Sequence, residues 1–225
     1  MWSSEIYRFN IERYMKEPRR GRKVISLSKG AAVFVEGDSN DFVFFILEGS
    51  IKLTVSSPAG KEVIINLMDG GNFFGESCVV NGFPKCTYRA VALSHVTLAR
   101  YDRASMVHLL QTNEAILYCF VEHLIRSLGL LQENLSSSFL YPAGKRLARI
   151  LVFLSRLAGD PRLRRSFPQL GQEELAQMIG ATRQHVNANL MKLKEEGHVE
   201  YARGLKDFKV NKSLTAVAGL GSGNP

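Results

Sequence analysis

Gln172-Glu173-Glu174-Leu175-Ala176-Gln177-Met178-Ile179-Gly180-Ala181-Thr182-Arg183-Gln184-His185-Val186-Asn187 reads as two short helices joined by a tight turn. The small residue Ala176 sits where the helices would cross, and Gly180 sits where the turn needs φ > 0. Thr182 is placed to N-cap the second helix, which carries hydrogen-bonding side chains through its first two turns. Val186, Leu190 and Leu193 give that helix an apolar face. This is the outline of a helix-turn-helix whose second helix enters a DNA major groove.

The distribution of charge supports that reading. The 225-residue chain carries +8, yet residues 1–141 hold 15 Lys/Arg against 14 Asp/Glu, whereas residues 142–225 hold 14 against 7. The excess positive charge therefore lies in the part that contains the two-helix motif, where it would attract a phosphate backbone of any sequence. The length allows two domains. No run approaches the roughly 18 apolar residues of a membrane span. The start, Met1-Trp2-Ser3-Ser4-Glu5-Ile6-Tyr7, lacks the basic and apolar regions of a signal peptide. Cys78, Cys86 and Cys119 are odd in number and show no CxxC spacing, as expected of a reducing, cytoplasmic setting.

Upstream, residues 24–101 read as short strands: Ala32–Val35, Phe42–Leu47, Ser50–Val55, Glu62–Leu67, Thr87–Leu93 and Val96–Tyr101. They are rich in β-branched and aromatic residues, and Gly37, Gly49, Gly60, Gly70, Gly71 and Gly75 punctuate them. The pattern predicts an antiparallel roll or small barrel. From residue 103 the period changes. Leu117, Val121, Leu124, Leu128, Leu131 and Leu135 are spaced 4, 3, 4, 3, 4, the seam of a two-helix coiled coil on one helix spanning Gln111–Leu140. Phe120 and Ile125 widen its apolar face toward the β-domain. Pro142 opens a further helix, about Ala143 to Leu157, which Gly159-Asp160-Pro161 ends. A basic loop (Arg162, Arg164, Arg165) leads to the two-helix motif. Gly197 closes its second helix, and His198–Tyr201 with Phe208–Val210 form a wing around Gly204. The fold class is α+β: residues 1–102 an N-terminal segment and jelly-roll-like β-roll, 103–140 a dimerisation helix, 141–212 a winged helix-turn-helix, and 213–225 a disordered tail.

This order of elements resembles the CRP/FNR superfamily of bacterial transcription regulators over about residues 20–212. Its most specific marks are Phe74-Gly75-Glu76 and Gln172-Glu173-Glu174-Leu175-Ala176-x-x-Ile179-Gly180-x-Thr182-Arg183. The resemblance implies a homodimer reading a pseudo-palindrome in double-stranded DNA, with RNA polymerase as a further partner and no membrane association. By position Arg183 matches the family's guanine-reading arginine, whose fork spans O6 and N7. Gln184 replaces a glutamate of the cyclic-AMP-binding members and favours adenine, and Ala188 replaces a common second arginine. His185 and Asn187 face the same groove, and Gln172 and Thr182 suit phosphate contacts at helix starts. Asn189 stands where the family has an apolar residue.

The β-roll departs further from the pattern. In the cyclic-AMP-binding members a Gly-Glu pair holds the ribose, and an arginine with serine or threonine holds the phosphate. Here Gly75-Glu76-Ser77 is followed by Lys85-Cys86-Thr87, and the adenine-contacting helix positions read Leu131-Gln132. A buried phosphate needs a fixed cation that a neutral thiol does not supply, so cyclic AMP is not the expected effector and the effector and cofactor stay unknown. Glu76 has a purely structural reading, bonding backbone amides of the turn. No cysteine precedes Cys78, so an iron–sulfur motif is lacking. His95, His108 and His123 are the haem-ligand candidates, and Cys86 beside Lys85 is a candidate activated thiol. Two alternatives remain open: a regulator that needs no effector, and a cyclic-nucleotide-binding subunit acting on a protein partner. A β-roll metalloenzyme would need clustered histidines, and only His95 lies among the strands; an enzyme is not expected.

Overall fold

The computed structural model describes residues 11, 14, 15, 17, 21–159, 170–201 and 208–220. The basic loop at Arg162, Arg164 and Arg165, Gly204 of the wing and the last five residues fall outside them. The chain divides into two compact units, Met1–Val55 with Asn66–Leu131, and Ser56–Ile65 with Gln132–Pro225.

Strands of two to eight residues pair into two antiparallel sheets. Strands β1 (Arg22–Leu27), β2 (Ala32–Phe34), β3 (Phe42–Glu48), β4 (Ser50–Ser56), β5 (Glu62–Asp69), β6 (Phe73–Phe74), β7 (Arg89–Ala92) and β8 (Val96–Asp102) form sheets of order β1-β8-β3-β6 and β2-β7-β4-β5. The continuous apolar run of β3 arises because both of its faces are covered. Val43 and Phe45 join Phe73, Met106, Ile116 and Phe120 in one core cluster. Phe44 points the other way, stacked on Phe74 at 5.0 Å and 5.9 Å from Phe34 of the second sheet.

The predicted seam helix is two helices. Helix α1 (Arg103–Thr112) begins at Asp102, whose Oδ1 accepts from Ser105 N–H at 2.8 Å. Helix α2 spans Glu114–Leu140. Asn113 between them is extended (φ −134°), and its Oδ1 accepts from Ile116 N–H, so one residue caps the second helix and ends the first. The faces of α2 divide cleanly. Ile116, Cys119, Phe120 and His123 are buried, with Phe120 5.2 Å from Phe73. All six seam residues stay exposed, Leu128 at 56% and Leu135 at 60%. Ile125, expected beside Phe120 against the β-domain, instead lies exposed on the seam side.

In the second unit, helices α3 (Ala143–Gly159), α4 (Gln172–Ile179), α5 (Arg183–Glu195) and α6 (Leu214–Val217) accompany a two-stranded ribbon, β9 (Val199–Glu200) and β10 (Lys209–Val210). Their core joins Leu147, Leu151, Leu175, Ala176, Ile179, Val186, Leu190, Leu193, Val199, Leu214 and Ala218. Leu214 and Ala218 are fully buried there, so residues 213–220, read from sequence as tail, belong to the folded unit. Apolar burial against α3 outweighs the low-complexity look of that segment.

Candidate nucleic-acid interface

The turn between α4 and α5 is determined locally. Gly180 ends α4 at φ 65°, ψ 27°, a conformation that costs a residue with a Cβ about 1 kcal/mol or more. Arg146 donates from Nε and Nη2 to the carbonyl of Ile179 at 3.2 and 2.7 Å, satisfying the last turn of α4 with a cation where the helix dipole is negative. Thr182 starts α5: its Oγ1 accepts from His185 N–H at 3.2 Å. At the other end Gly197 N–H reaches Lys194 O and His198 N–H reaches Leu193 O, the paired bonds of a Schellman closure.

Burial then sorts the residues of α5. Val186, Leu190 and Leu193 face the core, while Thr182, Arg183, Gln184, His185, Asn187 and Ala188 are exposed. Gln184, Ala188 and Met191 follow one another at i, i+4 and i+7 on the side opposite the core. Arg183 and Asn187 flank that row on one side and His185 on the other. Gln172 at the start of α4 is half-buried and donates from Nε2 to Asn187 Oδ1 at 3.0 Å, so these two predicted contact residues hold each other. Met191, 52% exposed, is a candidate that sequence reasoning missed. Its period-7 relation to Gln184 was the available signal, and its apolar tip suits a thymine methyl group.

The polar intrusion at Asn189 has a structural account. Its Nδ2 donates to His185 O at 2.8 Å. Its Oδ1 lies only 2.5 Å from where a Cβ on Gly144 would sit. Asparagine is thus paired with a glycine on α3 that leaves room for it.

The residues expected to hold an effector are less united. Gly75 is fixed at φ 75°, and a Cβ there would lie 2.5 Å from Phe42 O. Its N–H is already spent on Tyr88 Oη at 2.9 Å, and Ser77 Oγ accepts from Asn40 at 2.9 Å. Burial pushes the Glu76 carboxyl above the usual carboxylate range, against a smaller opposing bond from its own backbone N–H. Its Oε2 has no partner among the described residues. Lys85 and Thr87 are exposed, as are Leu131 and Gln132 on α2. Cys86 is buried, its Sγ near Ser39 O at 3.8 Å. Burial, with Asp38 and Asp41, pushes its thiol up, and Lys85 opposes this only weakly. Burial and these two carboxylates work against an activated thiol at Cys86. Of the histidines, His95 and His108 are exposed, and His123 is packed 5.8 Å from the Phe73 ring. Tyr88 and Asn40 were missed by sequence reasoning. Tyr88 lies two residues beyond Cys86, the same-face step of an extended segment, which was the only hint.

Comparison with known proteins agrees with this geometry. The cyclic nucleotide-binding domain family matches residues 24–113, and the Crp-like helix-turn-helix domain family matches residues 145–212. A global nitrogen regulator of Synechocystis is 30% identical over 76% of this chain and 78% of its own. The chain belongs to the CRP/FNR superfamily. Like other members of the superfamily, it is a helix-turn-helix transcription regulator and not an enzyme. A CRP-like cAMP-activated global transcriptional regulator of Mycobacterium tuberculosis is 27% identical over 78% of this chain and 79% of its own. Among solved structures, the c-di-GMP-responsive global regulator of Xanthomonas campestris superposes with a TM-score of 0.73, at 22% identity, over 87% of this chain and 95% of that one. The superfamily's α+β architecture is what that likeness reports. No helix among the described residues is long and apolar enough to cross a membrane.

Proposed function

We propose that this CRP/FNR regulator is a homodimer that reads a pseudo-palindromic duplex through α5 and is controlled through its β-roll, with an effector other than cyclic AMP. The observation that carries the reading is the first turn of α5. Arg183 and Gln184 stand in solvent on a helix whose opposite side is core, so both are available to base edges. The exposed stripe from Leu117 to Leu135 supports the dimer, since about five turns of apolar surface at a 3.5 period match a second copy of the same helix. Arg183 takes guanine, Gln184 takes adenine, His185 and Thr182 meet the backbone, and the Gln172–Asn187 pair braces the rim of the groove. RNA polymerase is the further partner through which the bound dimer acts. Against cyclic AMP stand the neutral Cys86 thiol and the outward-facing Lys85, neither of which supplies the fixed cation an anionic phosphate needs.

The test is enrichment of binding sites from random duplex DNA by the full chain, followed by gel-shift titration. Two half-sites related by a dyad and about 10 base pairs apart are expected. Arg183→Ala loses ~1–3 kcal/mol of preference at one guanine while keeping weak, salt-sensitive binding. A pool without enrichment, or a variant with unchanged operator affinity, refutes the assignment.

A further inference from the structure

We infer that Tyr88 is the resident occupant of the β-roll's interior ligand position, and that the compartment it fills is one for a phenol. Three observations converge on it. The phenol oxygen takes the N–H of Gly75 at 2.9 Å, a donor held in place because Gly75 cannot carry a side chain against Phe42 O. The ring packs 5.4 Å from Phe34, and Phe34 in turn touches Phe44 and Phe74 at 5.9 and 6.0 Å, so Tyr88 completes an aromatic lining drawn from both sheets. Beside it, Glu76 Oε2 is buried and has no partner among the described residues, leaving an acceptor that a hydroxyl can satisfy. The lining is therefore aromatic walls with one fixed backbone donor and a carboxyl, the complement of a neutral ring bearing one hydroxyl.

Two consequences follow. Any molecule that enters this compartment must first displace Tyr88 and break its bond to Gly75, so the chain supplies its own ligand and a diffusible one competes with a tethered group. Removing the ring leaves a cavity with aromatic walls and a freed Gly75 N–H, a space that matches a small aromatic carrying one polar group. The inference rests on the reading of the β-roll as the regulatory unit. Its test reads ligand binding inside the roll, whereas the site-enrichment experiment reads α5, so either can fail without the other.

The experiment uses the full chain as wild type, Tyr88→Ala and Tyr88→Phe, with 4-methylphenol and toluene as probes in calorimetry and thermal unfolding. Tyr88→Ala is expected to bind one 4-methylphenol per chain, at least tenfold more tightly than toluene because only the phenol has an acceptor for Gly75 N–H. Wild type is expected to show no saturable binding of either probe. A folded Tyr88→Ala that binds neither probe, or a wild type that binds 4-methylphenol as tightly as the variant, overturns the inference. Should Tyr88→Ala not fold, Tyr88→Phe decides. It keeps the ring and loses the acceptor, so hydrogen exchange at the Gly75 amide quickens about tenfold. Unchanged protection of that amide overturns the assignment.

Discussion

Replacing His123 by leucine is expected to flatten the acid side of this protein's stability curve. His123 is 7% exposed on the inner face of α2, its ring lies 5.8 Å from Phe73, and its Nε2 has no partner among the described residues. Desolvation by burial holds its pKa at about 4, against an ordinary 6.5. The folded state thus favours the neutral ring. Stability from this site is complete above pH 6.5 and is lost as the pH falls toward 4, because the unfolded chain takes up the proton first. At ~1.36 kcal/mol per tenfold, the loss reaches about 2 kcal/mol at pH 5 and about 3 kcal/mol at pH 4. The assay is urea unfolding of wild type and His123→Leu at pH 7 and pH 5. Comparing the two proteins cancels the carboxylates that titrate in both, and a fixed protein concentration removes any mass-action term. The wild type should lose about 2 kcal/mol more than the variant over that interval. Equal losses, or an NMR titration of the His123 ring with a midpoint near 6.5, refute the reasoning.

Other outcomes follow from the same geometry. Leu128→Lys places a charge in the middle of the exposed stripe, 56% exposed in the single chain, and should shift the sedimentation equilibrium toward monomer by at least tenfold while leaving the circular dichroism unchanged; an unaltered mass would remove α2 as the seam. Gly144→Ala puts a Cβ 2.5 Å from Asn189 Oδ1, so Asn189 must turn and give up its bond to His185 O, and the change should forfeit the ~0.5–1 kcal/mol that Gly→Ala in a helix otherwise gains and cost up to about 1 kcal/mol in denaturant unfolding. Adding Asn189→Ala should recover most of that cost, and simple additivity of the two changes would show that the pair does not interact. Arg183→Ala, 4-methylphenol binding by Tyr88→Ala and the His123 titration address different residues, so they check α5, the β-roll interior and the inner face of α2 separately.

Much of the architecture was legible because it is written in local chemistry. Gly180 at φ 65° and Thr182 bonded to His185 N–H are where turn and cap preferences placed them. The six-residue stripe of α2 is exposed along one side as its spacing requires. Strands β1 and β6 were not legible. Arg22–Leu27 alternates poorly and lies at a sheet edge paired only with β8, and Phe73–Phe74 is two residues long. Neither carries enough periodicity to announce itself, and each becomes a strand because a neighbour offers hydrogen bonds.

The sequence by itself determined the class of this protein: the two-helix motif, the charge gathered in residues 142–225 and the 3.5 period are properties of short windows, readable without knowing what packs on what. Only the tertiary structure decided the sites. Which side of α2 is buried, that Gln172 is bonded to Asn187, that Asn189 is admitted by Gly144 and that Gly75 N–H is taken by Tyr88 all depend on residues distant in the chain meeting. The physical reason is that β3 and its neighbours are covered on both faces, so alternation of apolar and polar residues carries no information about which side chain looks into the roll. That Tyr88 meets Gly75 and Phe34 was therefore invisible until the two sheets were paired.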